Sequence, residues 1–141
     1  LVAARLREAI PDKPLLLKIG HFTDREVALA FFEAVAPHVD ALVMVNGVST
    51  CVRDEQGELL FEGRCRGIGG VAIRDLVFEQ LAWFAGFIRE RASSVRLVGV
   101  GGLGQAADVA QALGQGCEAV QFATAAMLNP GLGLAIRREG F

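Results

Sequence analysis

Five pieces of the sequence hold residues capable of chemistry, four of them within or just after an apolar run. Lys18 interrupts Leu15 to Ile19, and Asn46 follows Ala41 to Val45. Gly69 and Gly70 end a polar stretch. Gly101 and Gly102 follow Val95 to Val100, and Ala123 and Thr124 follow Glu118 to Phe122. An ammonium withdrawn from water is costly unless it is paired or used. Lys18 therefore suits a ligand anion, negative charge gathering on a ring, or a Schiff base; the plainer alternative is a lysine snorkelling at a strand end. The Asn46 amide both donates and accepts, which matches the carbonyl and N–H edge of a planar substrate. Asn46-Gly47 is equally a strong turn dipeptide. Gly101-Gly102 before a helix lets a backbone approach a ligand and points N–H groups at an anion. Ala123-Thr124 offers a second such turn one strand along. The competing reading is that the glycines only permit a tight turn.

Other reactive types are poorly placed. His21 and His38 have no metal-ligand company. Cys51, Cys65 and Cys117 are odd in number and lack C-x-x-C spacing, which argues against a disulfide framework or zinc site and fits a reducing cytosol. Arg64 and Arg66 flank Cys65, but both Cys51 and Cys65 read as structural. Trp83, Phe84 and Phe87 stand at helical spacing and read as core or interface residues.

These residues must be positioned by alternating elements. Leu1 to Ile10 repeats apolar residues at helical spacing and stops at Pro11. Leu15 to Ile19 reads as a buried strand. Thr23 or Asp24 can cap a helix from Arg25 to about Ala36, with Val27, Phe31, Ala34 and Val35 as its apolar face. Ala41 to Val45 is a second buried strand. Ser49 to Gly70 is a polar excursion with the makings of a small hairpin. A long helix runs from Val71 to Arg91, then a strand from Val95 to Val100 and a helix from Gln105 to Leu113. A fourth strand, Glu118 to Phe122, precedes a helical turn at Thr124 to Leu128 and a last helix in Gly131 to Arg138.

Strands alternating with helices imply parallel pairing through right-handed crossovers. An open doubly wound sheet and part of a (β/α)8 barrel both fit. A complete barrel needs about 250 residues, so four βα units amount to half of one, treated as a single domain over residues 1–141. Half a barrel exposes two strand edges and an apolar interior, so a stable isolated monomer is not expected. In either architecture ligands sit beyond the carboxyl ends of the strands, where the residues above fall.

Composition excludes several classes. A net charge of -2 gives no electrostatic footprint for nucleic acid. No apolar run reaches the roughly 18 residues of a membrane span. With 52% hydrophobic residues the chain is too apolar for disorder. No secretory signal is visible, and the chain opens inside a helical pattern without an initiator Met. It reads as the later part of something longer.

Taken in order, Leu17-Lys18-Ile19, Val45-Asn46, Gly67-Ile68-Gly69-Gly70, Val98 to Leu103 with Asp108, and Val120 to Ala125 resemble the carboxyl-terminal half of the dihydroorotate dehydrogenase (DHODH) family of FMN-dependent barrels. The resemblance runs from Lys13 to Pro130. It implies the carboxyl-terminal half of a TIM barrel and an FMN cofactor. It also implies oxidation of dihydroorotate to orotate, in pyrimidine biosynthesis in the cytoplasm, by the complete enzyme.

By the resemblance, Lys18 stands near the N1/O2 edge of the flavin as a catalytic and cofactor-binding cation, where reduced flavin gathers negative charge. Asn46 holds the pyrimidine. Gly69, Gly70, Gly101, Gly102, Ala123 and Thr124 supply backbone donors to the FMN tail. Gly47 departs from the family's usual Ser or Thr, for which Ser49 and Thr50 are candidate substitutes, and Ala123 replaces a common Gly. The family's catalytic base lies in the amino-terminal half, so this chain is expected to be inactive alone. The expected partners are a dihydropyrimidine and either the missing barrel half or further copies of the chain, with no metal, nucleic acid or membrane. A non-catalytic half-barrel and a different phosphate-binding barrel with a Schiff-base lysine are the competing functions.

Overall fold

A computed structural model describes residues 1–141. Six helices and six strands follow one another: α1 (Val2–Ala9), β1 (Leu16–Ile19), α2 (Arg25–Val35), β2 (Ala41–Met44), β3 (Val48–Thr50), β4 (Arg66–Ile68), α3 (Arg74–Glu90), β5 (Arg96–Val100), α4 (Ala106–Gly114), β6 (Cys117–Gln121), α5 (Thr124–Leu128) and α6 (Leu132–Arg138). Strands β1, β2, β5 and β6 form one parallel sheet in that spatial order. Spatial order thus follows chain order, without the reversal that defines a doubly wound sheet. The excursion after β2 is a hairpin, β3 pairing antiparallel with β4.

The register places Lys18, Val43 and Val98 side by side on one face. Period-two alternation sends Ile19, Leu42, Met44 and Leu97 to the other face, where they meet Phe32, Leu81, Phe84 and Phe87 of α2 and α3 in the main core. The rings of Phe84 and Phe87 lie 5.4 Å apart, edge to face, a favoured aromatic geometry. Trp83 is only half-buried. On the Lys18 face only Val43, Val98 and Val100 form a small separate cluster.

Two sequence expectations need correction. The first strand is not buried: β1 is an edge strand, and Leu16 is 51% exposed. The apolar face of α2 is also rotated. Asp24 caps it as expected, accepting from the N–H groups of Glu26 and Val27. Its buried residues, however, are Ala28, Phe32 and Val35, while Val27 is 57% exposed. Phe31 still packs, as its ring meets Phe22 at 5.1 Å. The helix is apolar on more than one side, so periodicity did not fix which stripe faces α3.

The Asp40 carboxylate clamps the end of the sheet remote from the candidate residues. It accepts from Arg7 of α1 and, at 2.6 Å, from the N–H of Leu15. No helix is long and apolar enough to cross a membrane.

Candidate functional site

A cleft of about 470 Å³ opens at the carboxyl ends of the four parallel strands. Lys18, Asn46, Gly69, Gly70, Gly101, Gly102, Ala123 and Thr124 all line it. Residues up to 106 positions apart in sequence are thus gathered at one place. His21, Ser49 and Thr50 are not among its lining residues.

Each strand contributes from its end. Lys18 is the third residue of β1; it is exposed, contrary to the expectation of a buried ammonium. The reason is its position on an edge strand. Asn46 is held by its backbone N–H, which donates to the carbonyl of Ile19 at 2.9 Å. Its side-chain amide makes no bond within the chain and lies exposed at the cleft. Gly47 follows because the hairpin is close: a Cβ there would stand 3.2 Å from the carbonyl oxygen of Ile68. A side chain at this position would press on that carbonyl. Ser49 and Thr50 cannot substitute, since β3 carries them away along the hairpin.

Gly101 and Gly102 have positive φ angles of 103° and 72°. A Cβ on Gly101 would press the Val45 carbonyl oxygen at 2.8 Å, and one on Gly102 would meet the Arg74 backbone at 2.7 Å. Packing alone therefore demands both glycines. They do not open a helix directly, because α4 begins only at Ala106. What they leave is a set of donors. Outside the regular elements, no backbone hydrogen bond uses the N–H of Gly101, Gly102, Leu103 or Ala123. Such groups are a ready contact for anionic oxygens.

Gly69 differs from its neighbours. Its φ of -129° is open to any residue, and an added Cβ would meet nothing within 4 Å. The fold does not require glycine here. A methyl group would occupy free space beside the cleft. Gly70, by contrast, has φ 70°, and a Cβ there would stand 3.5 Å from the Thr124 side chain.

Three supporting residues carry no role in the sequence reading. Asp108 is buried; one oxygen accepts from the Gly104 N–H at 2.8 Å and the other lies 3.7 Å from the Arg74 guanidinium. It ties the glycine turn to the start of α3. Arg74 itself lines the cleft and brings a second cation to it. Gln80 is fully buried. Its Oε1 accepts from Phe22 N–H at 2.7 Å and its Nε2 donates to the Gly20 carbonyl at 3.0 Å, holding the loop that follows β1. A polar residue inside the apolar stretch from Leu76 to Ile88 was the signal for it. For Arg74 the signal was a cation one turn after Gly70.

No group of three or more His, Cys, Asp or Glu side chains is gathered as for a metal ion. The cleft combines a lysine, a free amide and unpartnered backbone N–H groups. That donor set suits an anionic tail joined to a planar polar ring.

No protein-family model matches the chain, and no curated protein matches it. Its fold is shared with solved structures. One is the crystal structure of DHODH from Eimeria tenella in complex with ferulenol, with a TM-score of 0.72 at 17% sequence identity. The match covers 89% of this chain and 33% of that one, so this chain spans about a third of its neighbour's length. The chain has a DHODH-like fold.

Proposed function

We propose that the chain is the carboxyl-terminal half of a (β/α)8 barrel of the DHODH family and holds the phosphate end of FMN. In the complete protein it would serve oxidation of a dihydropyrimidine such as dihydroorotate to orotate. The observation that carries the reading is the convergence of Lys18, Asn46 and the unpartnered N–H groups of Gly102, Leu103 and Ala123 on one cleft at the strand ends. The strand order and the shared fold agree with a barrel segment.

The residues present fit FMN. The unpartnered N–H groups of the β5 and β6 loops would hold the phosphate, with the Arg74 cation adding to the local field. When bound, FMN supplies the acceptor for hydride taken from the substrate. Lys18 stabilises negative charge at the ring, being a cation fixed on a strand before reaction rather than recruited during it. The Asn46 amide orients the substrate through its carbonyl and N–H edge.

No group in the cleft is placed to remove the substrate proton. Lys18 and Arg74 are cations, and the Asp108 carboxylate is engaged by Gly104 and Arg74. The base comes from the other barrel half, which also covers the Lys18 face. The test is Lys18→Ala in the complete protein. Flavin reduction slows strongly while thermal unfolding is unchanged. An unaltered reduction rate removes Lys18 from the mechanism.

A further inference from the structure

We propose that Cys51 and Cys65 form a reversible dithiol–disulfide site on the hairpin, one that reacts with low-molecular-weight disulfides of the oxidised-glutathione class. The two residues are 14 positions apart, yet the hairpin sets them opposite each other. Its register pairs Val48 with Ile68, Ser49 with Gly67 and Thr50 with Arg66, so Cys51 and Cys65 occupy the next rung. Their sulfurs lie 2.8 Å apart, in hydrogen-bond contact, and both residues are exposed. Cross-strand neighbours in an antiparallel pair bring Cβ atoms within about 4.5–5.5 Å, close to disulfide reach. The hydrogen bond from Cys65 holds the Cys51 thiol above its ordinary value, with Arg53 opposing it, so the second cysteine's thiol is kept beside the attacking sulfur. Cys117 is the internal contrast. It is buried without a thiol partner, and burial pushes its thiol up to about 11.

The reaction balances by exchange. One cysteine thiolate attacks a sulfur of the small disulfide, forming a mixed disulfide and releasing one thiolate. The second cysteine thiolate attacks the protein sulfur of that mixed disulfide. The Cys51–Cys65 bond forms and the second small thiolate leaves. The protein loses two electrons and two thiol protons, and the small disulfide gains them as two thiols. The product closes residues 51–65 into a ring at the base of β3 and β4, four residues before Gly69.

The test is incubation of the folded chain with oxidised glutathione, followed by acid quenching, intact mass and peptide mapping. The expected protein is lighter by two hydrogen atoms, carries a Cys51–Cys65 linked peptide and keeps Cys117 free. Its free-thiol count falls from three to one, and dithiothreitol restores all three. Cys51→Ser and Cys65→Ser, both at exposed positions, each trap one glutathione on the remaining hairpin cysteine. Stable glutathione on both cysteines of the unaltered chain, linkage between two chains, or an unmodified pair would each overturn the proposal.

Discussion

A Cβ placed on Gly102 would stand 2.7 Å from the backbone nitrogen of Arg74. The glycine turn after β5 and the start of α3 therefore touch backbone to backbone. Asp108 reinforces that contact from the other side by holding Gly104 and facing Arg74. The wall of the cleft is set by this packing before any ligand is considered. A glycine at 102 is thus evidence about the fold, whereas a glycine at 69 is not demanded by it.

That difference separates two substitutions. Gly102→Ala is expected to destabilise the chain by about 1–3 kcal/mol, from a strained positive φ and a backbone clash. Gly69→Ala is expected to leave urea unfolding unchanged within about 0.5 kcal/mol. Equal effects on stability would contradict the packing described.

Asp108→Ala removes an acceptor from a half-buried N–H and leaves Arg74 unpaired on that side. We expect a loss of about 1–3 kcal/mol in denaturant unfolding. Faster hydrogen exchange at Gly104 should accompany it, since its N–H loses its partner. Unchanged exchange there would remove Asp108 from the turn.

Gln80→Leu keeps the volume roughly constant but strands the Phe22 N–H and the Gly20 carbonyl. The expected cost is about 2 kcal/mol. Exchange at Phe22 should rise, with the α3 core amides following only as global stability falls. A neutral substitution would mean that water replaces the side chain without penalty.

Acid sensitivity follows from Asp40. The Leu15 N–H first, and then the Arg7 guanidinium, hold its carboxyl below the ordinary 3.8. A folded-state value lower than the unfolded one adds stability above the ordinary carboxylate range. That stability is lost as pH falls from there through the depressed value. Asp40→Asn should flatten the acid limb of the stability curve. An identical limb in the variant would assign the acid response elsewhere.

Much of the fold was legible because its signals are local. Asp24 before an apolar run and Pro11 after one marked boundaries that the structure places within a few residues. Alternating elements implied parallel strands, and the rule of carboxyl ends then selected the residues that now line one cleft. Exposure was less legible. Leu16 and Val27 look like core residues, yet β1 is an edge and α2 is apolar on several sides. Whether an apolar residue is covered depends on which partner exists, and a single sequence does not state that. The pairing of Cys51 with Cys65 was hidden for a related reason. It depends on hairpin register, which two three-residue strands only weakly announce.

A grip on the phosphate separates FMN from riboflavin. The two ligands differ only in that group. Binding to the complete protein is measured by flavin fluorescence for the unaltered chain and for Gly69→Ala. The account predicts FMN bound about a hundredfold more tightly than riboflavin, with about tenfold of that preference lost in the variant. Equal affinity for the two flavins, or no affinity for either by the folded complete protein, would contradict it.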